Sequence, residues 1–146
     1  MTVNDETKRP KIGVGLILIK NGTHVLLAQR IGKHGAGEYG GLGGHMEYGE
    51  KAEETLMREV REEAGPELKI TKPRIISITN VTKYAPKHYV DIGMTANWIS
   101  GEPILMEPEK FASWDWYPLN DLPEPLFEFI KIYINELGSK HPLIDL

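Results

Sequence analysis

Hydrophobic residues recur along this chain with two different periods, and the switches between them mark out its elements. Ile12 to Ile19 and His24 to Gln29 are runs of β-branched and aliphatic residues flanking Asn21-Gly22, a dipeptide suited to a tight turn, so they are expected to pair as a hairpin. Gly32 to Gly49 breaks the pattern with eight glycines, too many for a helix, and implies backbone packed close to something. Lys51 to Ala64 reads as a helix of Glu, Ala, Arg, Leu and Met, stopped by Gly65-Pro66. Lys69 to Lys83 and Tyr89 to Ser100 follow as long strands, with Ala85-Pro86 in their connection. Glu102 to Lys110 is a loop rich in Pro and Glu, and Ser113 to Pro118 is a short aromatic strand. Pro125 to Leu137 is a second helix with an apolar face of Leu126, Phe129, Ile130, Tyr133, Ile134 and Leu137. This order predicts one α/β domain over residues 1–146, a mixed β-sheet covered by helices on its faces.

Composition narrows what such a domain can do. At 146 residues and 40% apolar, the chain has the size of one ordinary domain with a real core. Seventeen basic against 21 acidic residues give a net charge of −4, so no electrostatic footprint for a nucleic-acid polymer is present and a small-molecule partner is expected. The absence of cysteine excludes thiolate ligands and nucleophiles, so a metal site here would be hard and oxygen-rich. MTVNDETKRPK lacks the apolar stretch of an export signal, and Ile12 to Ile19 falls well short of the ~20 residues that span a bilayer. A cytoplasmic protein without a membrane partner is the expectation.

The first helix carries the candidate chemistry. On a wheel turning about 100° per residue, Glu63 falls about +40° and Glu62 about −60° from Glu59, so the three carboxylates share one face. Leu56, Met57, Val60 and Ala64 occupy the adjoining arc, which is expected to pack on the sheet. Like charges held at the edge of a core repel one another and lose solvation unless a cation sits among them. Magnesium suits that place, since it takes oxygen ligands and shares them between one or two carboxylates, water and phosphate. Arg58 lies one turn from both Glu54 and Glu62 and could pair with both. A solvated surface helix laced with ion pairs has the same composition, and the helix alone leaves both readings open.

Two glycine patterns are excluded. GAGEYG, Gly35 to Gly40, fits G-x-G-x-x-G but lies away from the preceding strand and well before the helix, which rules out a dinucleotide fingerprint. Gly44 to Ala52 has Glu50 where a P-loop needs lysine.

The loop and helix together are far more specific. Gly44 to Pro66, GHMEYGEKAEETLMREVREEAGP, resembles the signature of the Nudix hydrolases, G-x5-E-x7-R-E-U-x-E-E-x-G-U with U bulky and aliphatic. Gly44, Glu50, Arg58, Glu59, Val60, Glu62, Glu63 and Gly65 match, while Pro66 departs from the final U, beyond the helix. VLLAQR, GGHMEYGE, HYV and EPEKFASWDWYPLNDLP look like the MutT-like nucleotide diphosphatase branch, with Gly41-Leu42 standing where such members often have Leu-Pro.

The resemblance implies an α/β/α sandwich and magnesium-dependent hydrolysis of a nucleoside diphosphate linked to another moiety, with manganese as a substitute ion. It implies Glu59, Glu62 and Glu63 as metal ligands, the carbonyl of Gly43 as a further one, and Arg58 and Glu50 in support, Glu50 at the loop-to-helix corner or assisting the base. Glu107 or Glu109 could enter from the late acidic loop; Glu109 is carried as the expected ligand. For substrate, Arg30 at a strand end is assigned to phosphate, Gly44 and His45 to the nucleotide, and Phe127 to the pocket, whereas alternation in SWDWYP puts Trp114 and Trp116 on one face as core. The leading expectation is a nucleoside triphosphate, oxidised ones included, cleaved to monophosphate and pyrophosphate. Nucleotide sugars, dinucleoside polyphosphates and a non-catalytic nucleotide-binding module are the alternatives, and a homodimer is compatible with the resemblance.

Overall fold

The structure is a computed structural model and describes residues 8–146. Residues 1–7, part of the leading segment read for an export signal, lie outside the described residues. β1 (Lys11–Lys20) and β2 (His24–Arg30) form the expected hairpin. Across Asn21-Gly22, with φ of 55° and 70°, the Thr23 N–H donates to the Lys20 carbonyl at 3.1 Å. Two positive φ values make the primed turn that matches strand twist.

Toward its start β1 leaves β2 and pairs antiparallel with β4 (Leu42–His45), while its other edge runs parallel to β7 (Tyr89–Ser100). β3 (Tyr39–Gly40) and β8 (Phe111–Pro118) pair with β2, and β5 (Lys69–Ile70) and β6 (Arg74–Val81) pair with β7. One parallel pair among antiparallel ones makes the sheet mixed, as expected.

Alternation along β1 divides the core in two. Val14, Leu16 and Leu18 pack with Leu56, Val60 and Ala64 of α1 (Ala52–Ala64); Ile17 and Ile19 pack with Ile130 and Tyr133 of α2 (Glu128–Asn135). The result is an α/β/α sandwich with one helix on each face. Burying each such Leu or Ile contributes about 2 kcal/mol, so the two clusters hold both helices in place. The wheel reading of α1 holds for Leu56, Val60 and Ala64, with Met57 only half-buried.

Three departures from the sequence expectation have a backbone reason. The single strand read over Lys69 to Lys83 is split at Pro73, which has no N–H for the ladder; β5 and β6 both pair with β7, with an irregularity at Ile70–Trp98 between them. The glycine-rich stretch read as loop contains β3 and β4. A Cβ at Gly43 would stand 2.4 Å from the Val14 carbonyl oxygen, so only glycine lets the chain lie that close to β1. The second helix starts at Glu128 rather than Pro125: Tyr39 donates to the Pro125 carbonyl at 2.8 Å and Phe127 donates to Tyr39 at 2.9 Å, which holds that segment extended.

Gly15 and Gly93 are register partners on β1 and β7. A Cβ at Gly15 would stand 2.3 Å from the Tyr133 hydroxyl, and one at Gly93 would stand 2.4 Å from its ring. Two missing side chains thus make the groove that seats the tyrosine of α2.

Candidate active site

α1 begins with carboxylates closing its own backbone. The Glu54 carboxylate accepts from Lys51 N–H at 3.0 Å, satisfying one of the free donors of a helix start. This corrects the expectation that Glu54 pairs with Arg58. Arg58 turns instead to Glu50, donating from Nε at 2.8 Å and from a terminal nitrogen at 3.0 Å, and from its other terminal nitrogen to Glu59 at 2.8 Å and Glu62 at 3.3 Å. It also donates to the His45 carbonyl at 3.0 Å, tying the helix to the end of β4. Such a planar fork suits arginine alone.

Glu50 stands at the loop-to-helix corner, where it also accepts from Glu47 N–H and Thr55 Oγ1 at 2.8 and 2.9 Å. Arg58 foremost, then these donors, hold its carboxyl down near about 2. The same partner, Glu50, raises Arg58 above its ordinary value.

The three glutamates of the shared face separate in depth. Glu62 is half-exposed, Glu59 is largely covered, and Glu63 is buried at 4% exposure, its Oε1 accepting from Gly43 N–H at 2.8 Å. Gly44 beside it is equally constrained, since a Cβ there would stand 2.2 Å from the Glu59 carboxyl. Burial pushes the Glu63 carboxyl up to about 8, against the pull of the Gly43 N–H and with the Glu59 and Glu107 charges adding to the rise. Burial also raises Glu59, opposed by Arg58.

From the late loop it is Glu107 that reaches this cluster. Its Oε2 lies 3.2 Å from Lys110 and its Oε1 is buried without a hydrogen-bond partner. Glu109, the ligand expected from that loop, is exposed, and among the described residues no hydrogen bond or ion pair joins it to the cluster. The intervening turn, in which Lys110 and Phe111 N–H both donate to the Glu107 carbonyl, carries Glu109 outward.

These groups fit a divalent cation. Glu59, Glu63 and Glu107 are oxygen donors whose mutual repulsion and burial cost a bound cation would relieve, and the orphaned Glu107 oxygen lacks any other partner. Among the described residues no three carboxylate or imidazole groups already converge as a finished metal site, so a cation would draw these side chains together.

Beside the cluster lies a cavity of about 340 Å³, lined among others by Arg30, His45, Glu63, Asp91, Phe127 and Tyr133. Arg30 donates from Nε to the His34 carbonyl at 3.0 Å and lies 4.3 Å over the Phe127 ring; burial lowers its pKa while Glu63 and Glu38 oppose the shift. His45 stacks on Tyr89 at 5.5 Å, and burial, Lys11 and Lys87 lower its pKa, which keeps the imidazole neutral. Gly44 lines the same cavity. Trp114 packs in the core as expected and donates from Nε1 to the Glu63 carbonyl at 2.9 Å. Asp91 and Tyr133 were not singled out in the sequence as site residues: Asp91 looks like one polar position in a strand, and Tyr133 like part of a helix core face.

The burial of Glu63 gives metal-free protein a definite pH response. Between an unfolded carboxyl value of about 4.3 and a folded value of about 8, the native state holds a proton that the unfolded chain does not. Stability therefore falls as pH rises through that window. Asp91, raised to about 6 by burial, adds the same sign at the acid end, while His45 acts oppositely near pH ~6.5, so the span from ~7 to ~8 reports on Glu63. In chelator, Tm is expected to drop on the order of 5 °C across the window, with the slope lost in Glu63→Gln and offset by millimolar magnesium. A flat Tm in the wild type would contradict a protonated Glu63.

A mixed-sheet sandwich with a glycine loop entering an acidic helix beside a cavity defines a class of fold and site that known proteins share. The model of the NUDIX domain matches residues 9–137, and the chain belongs to the Nudix hydrolase family. The chain is 37% identical over 130 residues to a protein of Pseudomonas entomophila (strain L48) called NAD-capped RNA hydrolase NudC, over 88% of this chain and 45% of that one. It thus spans less than half the length of the curated relatives it matches. A crystal structure of a MutT NUDIX hydrolase from Burkholderia pseudomallei superposes with a TM-score of 0.80 at 28% identity, covering 88% of this chain and 98% of the other. The NUDIX domain of Shewanella oneidensis NrtR, solved with ADP ribose, has the same fold, with a TM-score of 0.74 at 20% identity and coverage of 92% and 91%. Among the described residues no helix is long and apolar enough to cross a membrane.

Proposed function

We propose that this protein is a magnesium-dependent hydrolase of a diphosphate linkage in a small nucleotide, and that its first substrate class is nucleoside triphosphates, cleaved to monophosphate and pyrophosphate. The observation that carries the reading is the buried Glu63 carboxylate, held by Gly43 N–H beside Glu59 and the unpartnered Glu107 oxygen, at the wall of a cavity large enough for a nucleotide base. Glu59, Glu63 and Glu107, with the carbonyl of Gly43, are the residues that would hold the ion; manganese fits the same oxygen donors. Bound there, magnesium would offset charge developing on the phosphates and lower the pKa of an attacking water.

The protein's own work is to position and to exchange protons. Arg58 fixes the Glu59 carboxylate, and Glu50 in turn fixes Arg58 and the helix start. Glu62, half-exposed and held at 3.3 Å, is the carboxylate left to accept the proton of water. Arg30 supplies donors at the cavity for phosphate oxygens.

A second reading, the pyrophosphate of a dinucleotide such as NAD or an NAD-capped RNA end, is favoured by the 37% identity to a protein named for that activity. The net charge of −4 weighs against a grip on the RNA polymer itself. A panel of nucleoside triphosphates including oxidised forms, NAD, nucleotide sugars and NAD-capped RNA, with magnesium and product identification, separates the two. Monophosphate and pyrophosphate from triphosphates support the first reading, and two monophosphates from NAD support the second. Stoichiometric binding with every ligand recovered intact would sink both and leave a binding module.

A further inference from the structure

The cavity contains a carboxylate that the hydrolytic machinery does not use. Asp91 lies on β7 at the register position of Gly13 on β1, which is in turn paired with His45 on β4. Because Gly13 has no side chain, this row of three residues leaves open space between the imidazole and the carboxylate; a Cβ at Gly13 would stand 3.0 Å from Asp91 Oδ1. Asp91 is 7% exposed, and what remains exposed opens into the cavity it lines.

Its two oxygens are differently committed. Oδ2 accepts from the Tyr133 hydroxyl at 2.5 Å. Among the described residues Oδ1 has no donor, yet it is not one of the sealed, unpartnered oxygens such as that of Glu107. The Tyr133 ring is seated over Gly15 and Gly93, buried between α2 and the sheet. The carboxylate is therefore held in one orientation, with one oxygen toward the cavity. Deep burial of an acidic side chain costs free energy that one tyrosine bond only partly offsets, and a ligand N–H would satisfy the remaining oxygen.

We propose that Asp91 selects the nucleotide by its base, accepting a hydrogen bond from an exocyclic amino group and disfavouring bases that present carbonyls in its place. This rests on the nucleotide reading of the cavity given above. The discrimination follows from charge: an ionised carboxylate only accepts, so an amino edge meets it with N–H, whereas the N3–H of uracil or thymine is flanked on both sides by carbonyl oxygens that approach it lone pair to lone pair. Burial raises Asp91 to about 6, which leaves it mostly ionised at neutral pH. Arg30 and the neutral His45 line the same cavity, and neither is hydrogen-bonded to this oxygen.

The test compares each amino-bearing nucleotide with its deaminated counterpart, AMP with IMP, CMP with UMP and GMP with XMP, by calorimetry at pH 7.5, alongside kcat/KM for the matching triphosphates. In the wild type at least one pair is expected to differ by about tenfold or more in favour of the amino form, with the kinetic difference mainly in KM. Asp91→Asn, whose amide donates as well as accepts, is expected to bring that ratio to near unity with Tm retained, while Tyr133→Phe, which keeps the carboxylate but frees it to turn, is expected to weaken the preference without abolishing it. Ratios within twofold for every pair in the wild type would overturn the proposal. So would an unchanged ratio in a folded Asp91→Asn, or a preference lost in Tyr133→Phe but kept in Asp91→Asn. Monophosphate binding does not depend on turnover: a ratio that moves with Asp91 in a protein that hydrolyses nothing would remove the diphosphatase reading alone.

Discussion

Replacing Glu59 or Glu63 by glutamine is expected to lower kcat for nucleotide hydrolysis about 10³-fold, equivalent to about 4 kcal/mol of lost transition-state stabilisation. Both side chains keep their size, so the loss is of charge. For Glu63 the amide oxygen can still accept from Gly43 N–H, and the cost of keeping a buried carboxyl protonated at neutral pH disappears. The folded protein should therefore be at least as stable as the wild type in chelator while binding magnesium weakly. That combination of a higher metal-free Tm and a collapsed kcat distinguishes a metal ligand from a structural carboxylate. Activity within threefold of the wild type in both variants, with calorimetry showing unchanged magnesium affinity, would remove the carboxylates from the reaction.

The second large effect is expected at Arg58. Its fork joins Glu50, Glu59 and Glu62 and the carbonyl of His45, so Arg58→Ala frees several like charges at once and unties α1 from β4. We expect magnesium affinity and kcat/KM to fall about 10²-fold, the range seen when partners of metal ligands are removed. Arg58→Lys should recover little, since an ammonium group cannot meet Glu50 with two parallel bonds while reaching Glu59. Raising the magnesium concentration should restore part of the rate in Arg58→Ala and almost none in Glu59→Gln. Equal rescue in the two variants would mean that Arg58 acts on the substrate rather than on the ligand.

The fold was legible where the sequence repeats a period. The hairpin at Asn21-Gly22, α1 with its Gly65-Pro66 stop and β7 all appear where alternation or helical spacing placed them. It was illegible where glycine carries the backbone: β4 contains one apolar residue, Leu42, and its pairing with β1 depends on what Gly43 lacks. The start of α2 was misplaced because Pro125 is as compatible with a first helical turn as with an extended segment, and pairing with Tyr39 decides the matter.

Within the site, spacing brought Glu59, Glu62 and Glu63 onto one helix face but could not rank their depth. That ranking comes from Gly43 approaching Glu63 and from solvent reaching Glu62. The expected pairing of Arg58 with Glu62 is present, but its main partner, Glu50, lies beyond the helix start, where a wheel does not reach. Asp91 was invisible for a different reason. A single acidic residue in a strand signals nothing until the opposite helix and the neighbouring strand show what stands over it.

The tyrosine seated over Gly15 and Gly93 also constrains how this cavity can be remodelled. A side chain at either glycine would displace the ring, and the ring cannot move without releasing the Asp91 carboxylate and shifting α2 against the sheet. Gly15, Gly93, Tyr133 and Asp91 are therefore one packed unit. Descendants that change the base they accept should replace these four positions together rather than singly, and laboratory libraries that vary Asp91 alone would explore only substitutions small enough to sit beneath a fixed ring.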